Sequence, residues 1–148
     1  MLKQNNIFNK DINIFYLFIV VAIINLLSAV HFVPIMLGGI VYIAFDKVVK
    51  EKNVYTLFWI ILSFFIIENI QGLETFSLLL ISFFIYLILK AQLQSIFSSS
   101  GLVKSLYVLV FYILLITVHS AFNGFNPDIL LIISINILID IFIVGFFV

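Results

Sequence analysis

The sequence has 148 residues, 65% of them hydrophobic and 9% charged, with a mean hydropathy of +1.35. Soluble domains carry roughly 45–50% apolar and about 25% charged residues, and a chain this short cannot hide the difference in a larger core. The composition describes a membrane protein and excludes a nucleic-acid binder, a secreted disulfide scaffold and an ordinary soluble enzyme. Seven lysines balance seven acids, and Arg and Cys are both absent, so disulfides and thiolate metal sites are excluded too.

Lys3 and Lys10 followed by an apolar run resemble the start of a signal peptide, but the run from Ile12 to Val30 is long for an h-region; a retained first helix is expected. The stretch Ile12 to Phe45 would make one helix of about 51 Å, too long for a single crossing and short for two. His31, Pro34 and Gly38-Gly39 interrupt it. Proline is favourable in the first turn of a helix and costly inside one, which places the break at His31 to Val33 and a short helix from Pro34.

Four further runs are long enough to cross a bilayer core of about 30 Å: Val54 to Ile70, Leu73 to Lys90, Leu102 to Phe122 and Ile129 to Val148. Asn53 can cap the third segment, and Asn126-Pro127-Asp128 places a cap, a proline and an acid where the sixth begins. Ser98-Ser99-Ser100-Gly101 reads as a flexible turn.

The lysines fall in three clusters: Lys3 and Lys10; Lys47, Lys50 and Lys52; Lys90 and Lys104. The opposite connections, around His31, around Gln71-Gly72 and from Ser120 to Asp128, contain none. The positive-inside rule puts the lysine side in the cytoplasm. The expected fold is an all-α integral membrane protein with one helical domain over residues 1–148. It is a bundle of six transmembrane segments with both termini inside, the first two segments short, tilted or partly re-entrant.

Ionisable groups within a membrane are the first candidates for function, because each costs about 2.5 to 3.5 kcal/mol at the helix centre. Asp140 lies deep in the last segment with Asn136 one turn earlier on the same face. That face should turn inward with Asp140 protonated or hydrogen-bonded, either as a polar packing seam or as a ligand, ion or partner site. In the first segment Ala22, Asn25 and Ala29 share a stripe beside Ser28, which suggests a close helix contact. Gly38 and Gly39 invite the same explanation, and Asn25 is an expected partner for the Asn136/Asp140 face.

Glu68, Asn69 and Glu74 flank an outer hairpin with Gly72 at its tip, and both acids are expected at the water interface. His119, Ser120 and Asn123 mark the outer end of segment five; no histidine-carboxylate spacing typical of a metal site is present. Tyr55 and Trp59 fit an interfacial anchor. No phosphate loop, nucleophile elbow or zinc motif appears, so neither catalysis nor a cofactor is expected.

The order of these features resembles the rod shape-determining protein MreD family. The likeness lies in a proline opening a short second segment (Val33-Pro34-Ile35-Met36), a basic cytoplasmic loop, and an acid-to-glycine hairpin between segments three and four. Here the hairpin carries Glu68 where the family typically has Asp, keeps Gly72, and lacks a second glycine. The resemblance implies a non-enzymatic scaffold in the inner membrane of a bacterium. Such a scaffold works with the bitopic protein MreC and, through it, with MreB filaments and the peptidoglycan synthases. The hairpin Glu68 to Thr75 would then be a contact surface.

Two other classes fit the same pattern. A substrate-binding subunit of an energy-coupling-factor transporter would hold a small molecule in an outward pocket lined by Asn25, Glu68, His119, Asn136 and Asp140. A small accessory subunit of a larger membrane complex could place Asp140 in a proton path.

Overall fold

The computed structural model describes the backbone of residues 2–31, 35–89, 100–124 and 126–147, with the side chains of 13–31, 35–88, 103–124 and 126–145. All secondary structure among these residues is helical. In chain order the elements are α1 (Leu2–His31), α2 (Gly38–Glu51), α3 (Val54–Gln71), α4 (Ser77–Phe84), a π-helical turn (Ile85–Leu89), α5 (Ser100–Asn123) and α6 (Pro127–Phe147).

Four stretches are long and apolar enough to cross a membrane: Asn13–His31, Val54–Gln71, Val103–Asn123 and Pro127–Gly145. The other two helices are short. With 14 residues α2 is only about 21 Å long, and the apolar helix Ser77–Ile88 is shorter still; neither matches a core of about 30 Å unaided.

This corrects the expectation for the first two segments. Only the second is short, because α1 absorbs the polar residues before Ile12 into a 30-residue helix. The second helix also starts at Gly38 rather than at Pro34, which lies outside the described residues. Ile35, Met36 and Leu37 are non-helical, for a reason that emerges from their hydrogen bonds. At the other boundary Ser100 and Gly101 belong to α5, not to a turn; Lys90, Ser98 and Ser99 lie outside the described residues.

Local chemistry explains several helix ends. Asn53 Oδ1 accepts from the Tyr55 and Thr56 amides at 3.1 and 3.4 Å, satisfying donors that the first turn of α3 leaves free. Gly72 ends α3 in a left-handed conformation (φ 67°), with its amide on the Glu68 carbonyl. At α6, Pro127 occupies the first turn and Asn126 Oδ1 accepts from the Asp128 amide at 3.0 Å.

The short α2 is the centre of the bundle and touches α3, α4, α5 and α6. Its inward face carries Val41, Tyr42, Phe45 and Val48 at helical spacing, all essentially fully buried. Tyr42 stacks on Phe111 of α5 (centroids 5.4 Å apart), and Phe45 meets Phe83 edge-on at 5.0 Å. The longer α1 leans chiefly on α3. Leu26, Leu27 and Val30 of α1, and Leu138 and Phe142 of α6, remain exposed; a bilayer, not water, is the solvent that suits them.

Candidate functional site

Residues 35–37 are the problem that the polar side chains solve. A non-helical backbone inside an apolar bundle has no water to bond to, and each unsatisfied amide or carbonyl costs several kcal/mol. Here the groups find side chains. The Ile35 amide donates to Ser28 Oγ (3.1 Å) and the Ile35 carbonyl accepts from Gln71 Nε2 (3.4 Å). The Met36 amide donates to Asn136 Oδ1 (2.7 Å), while the Met36 carbonyl accepts from Asn25 Nδ2 (3.0 Å). Leu37 returns to main-chain bonding by accepting from the Val41 amide at 3.1 Å.

The clamping side chains are themselves anchored. Asn25 Nδ2 also donates to the Val21 carbonyl at 2.9 Å and Asn25 Oδ1 accepts from Gln71 at 3.3 Å. Asn136 Nδ2 donates to the Ile132 carbonyl at 2.9 Å. Asn25 and Asn136 are fully buried. They do not bond to each other, as a direct seam would require; they grip the two sides of Met36.

Asp140 acts one turn further into α2. Leu37 precedes the helix in a left-handed conformation (φ 58°) and has no side-chain acceptor to cap it. Asp140 Oδ2 supplies one across the bundle, accepting from the Gly39 amide at 2.7 Å and from the Tyr112 hydroxyl at 2.6 Å. A helix N-terminus presents free N–H groups and the positive end of its dipole, so a carboxylate is its natural partner. Asp140 is fully buried, and its Oδ1 has no partner among the described residues.

The same device recurs at α4. Phe76 precedes that helix in a left-handed conformation (φ 67°) and again cannot cap it. Glu68 of α3 accepts from the Phe76 amide (Oε2, 2.9 Å), the Leu78 amide (Oε1, 2.8 Å) and the Ser77 hydroxyl (3.5 Å). Glu68 is only 2% exposed, so its carboxylate is shielded from solvent by the protein around it. Its neighbour Asn69 is exposed and donates to the Phe65 carbonyl at 2.7 Å. Gly72 is exposed in the turn.

Beyond the α3–α4 turn Glu74 Oε1 pairs with His119 Nδ1 at 3.0 Å and also accepts from Asn123 Nδ2. His119 is thus tied to the hairpin rather than isolated. Beside it Ser120 and Asn126 help line a cavity of about 10 Å³, room for about one water. Among the described residues no group of three or more His, Asp or Glu is placed to hold a metal ion.

The sequence places Ser28 only beside the Asn25 stripe, Gln71 only in a turn, and gives Tyr112 no role. Their one signal is being polar residues at helical positions that face this junction, visible only once the helices are packed. On α1 the buried stripe is Val21, Asn25 and Ser28 rather than the alanines: Ala22 is half-buried and Ala29 exposed. Trp59 sits among Phe15, Phe18, Tyr55 and Phe58, with centroids 4.8 to 6.1 Å away.

No protein-family model, curated protein or solved structure matches the chain. What fold and junction define is an all-helical membrane protein whose two short helices are each capped by a carboxylate from a neighbouring helix.

Proposed function

We propose that the protein is a non-enzymatic membrane scaffold, a subunit of the cell-elongation machinery that builds peptidoglycan in the inner membrane of a bacterium. The observation that carries this reading is the use made of the polar groups. Asn25, Ser28, Gln71 and Asn136 bond to the backbone at 35–37, Glu68 caps α4 and Asp140 caps α2. The residues that would have to line a transporter's ligand pocket thus brace the protein's own chain. A braced bundle with apolar flanks suits a part that positions others. The resemblance to the MreD family supplies the expected partners: an MreC-like bitopic protein and the peptidoglycan synthases.

Affinity purification from native membranes with crosslinking mass spectrometry tests this reading. A single-span partner and cell-wall synthases should co-purify; a co-purified small molecule with no partner protein would contradict it.

The reading includes six membrane segments with both termini in the cytoplasm. It is supported by the lysine partition: Lys47 and Lys50 lie in the last turns of α2 and Lys52 follows it, Lys104 lies near the start of α5, and residues 72–76 and 123–128 at the opposite joints carry no lysine. The absence of cysteine makes a direct test available. An impermeant maleimide applied to intact spheroplasts should label Thr75→Cys and leave Lys50→Cys unlabelled; the reverse pattern would overturn the orientation.

A further inference from the structure

A cavity of about 230 Å³ lies between α1, α2 and α6, away from the polar junction. It exists because α1 leans on α3 and does not close against α2 or α6. One face of α2 lines it with Ile40, Ile43 and Ala44, and Leu17 and Val144 close the sides. These positions are separate from the α2 face of Val41, Phe45 and Val48 that fills the core.

The cavity has one polar end. Lys47 lines it one turn beyond Ile43 and Ala44, together with Asn13 of α1 and, a further turn along α2, the Glu51 carboxylate. Lys47 is exposed and has no ion-pair partner among the described residues, whereas Lys50 on the next face is held by Asp46 at 3.0 Å. An apolar slot below an unpaired cation matches one molecule in both parts. The volume is below the range of about 300–1,000 Å³ typical of drug-sized ligands, but it suits part of an acyl chain, and a lysine beside a slot between membrane helices suits an anionic headgroup even with Glu51 on the same lining.

We propose that this cavity binds one anionic phospholipid of the cytoplasmic leaflet. An acyl chain lies along Ile40, Ala44 and Leu17, and the headgroup phosphate sits on the Lys47 ammonium with Asn13 as a second donor. The bound lipid completes the bundle where α1 stands away from α2 and α6. This depends on the membrane orientation above and not on the scaffold role, so loss of partner proteins in a pull-down would leave it standing.

Native mass spectrometry from nanodiscs with equal phosphatidylglycerol and phosphatidylcholine tests it. The wild-type protein should retain one phosphatidylglycerol with about a five-fold preference, the size that one lysine near an anionic surface contributes. Lys47→Gln should abolish the preference and Lys52→Gln should keep it. Ala44→Leu, which fills the slot, should lower retention of both lipids; Lys47→Gln is a surface change and keeps the test open should Ala44→Leu misfold. Equal retention of the two lipids by the wild type, an unchanged preference in Lys47→Gln, or a lipid-free dimer would overturn the proposal.

Discussion

At Gly39 a Cβ would lie 2.7 Å from Val108 Cγ1 and 2.8 Å from Asp140 Oδ2. Val108 is fully buried and branched at Cβ, so its methyl cannot swing aside cheaply. Only glycine lets the α2 amide reach Asp140 while the α5 side chain packs beside it. Gly39→Ala should therefore destabilise the protein by about 1–3 kcal/mol, the usual range for forcing a methyl into a filled core. Gly145 on α6 has nothing within 4 Å of its added Cβ, and there alanine should be neutral or stabilising by up to about 1 kcal/mol. Reversible unfolding of both variants in lipid bicelles checks the contrast; equal effects would show that the Gly39 contact is not tight. At this scale the sequence was informative about which residues matter and less so about what they touch. Asp140, Asn136 and Asn25 stand out because polar groups are rare in such segments. That Asn136 reaches the Met36 backbone 100 residues away, or that Tyr112 reaches the Asp140 oxygen 28 residues away, depends on packing between helices, and no local pattern encodes it.

Hydropathy reads the long helices well because a membrane crossing needs a long apolar run and little else. It places α3, α5 and α6 within a few residues of where they lie. The short helices are harder. Helix starts are normally read from a local cap, and Pro34 and the following glycines suggest one. In α2 and α4 the cap comes from elsewhere: Leu37 and Phe76 are apolar, left-handed and without a side-chain acceptor, and Asp140 and Glu68 act in their place. In sequence Glu68 reads as a charge beside a turn, cheap to leave in water. Folded, it bonds to two main-chain amides and is out of solvent. Both short helices thus begin where the chain has already turned back, at a point chosen by a carboxylate on a long helix.

Three long helices meet on one short stretch. Asn25 and Ser28 of α1, Gln71 of α3 and Asn136 of α6 all bond to residues 35 and 36, and α2 then runs through the centre of the bundle. The junction couples helices that are far apart in sequence and fixes where the central helix starts, which is what a rigid scaffold requires. Met36 is the shared element, so Asn25 and Asn136 should not act independently. A double-mutant cycle of Asn25→Ala and Asn136→Ala, read from reversible unfolding in bicelles, measures this directly. Asn136→Ala with Glu68→Ala serves as the reference pair, since those two residues hold different helices. The first pair should show a coupling of about 0.5–1.5 kcal/mol, in the range of hydrogen bonds between membrane helices, while the second should add to within about 0.5 kcal/mol. Additive effects for Asn25 and Asn136 would contradict a junction built on Met36.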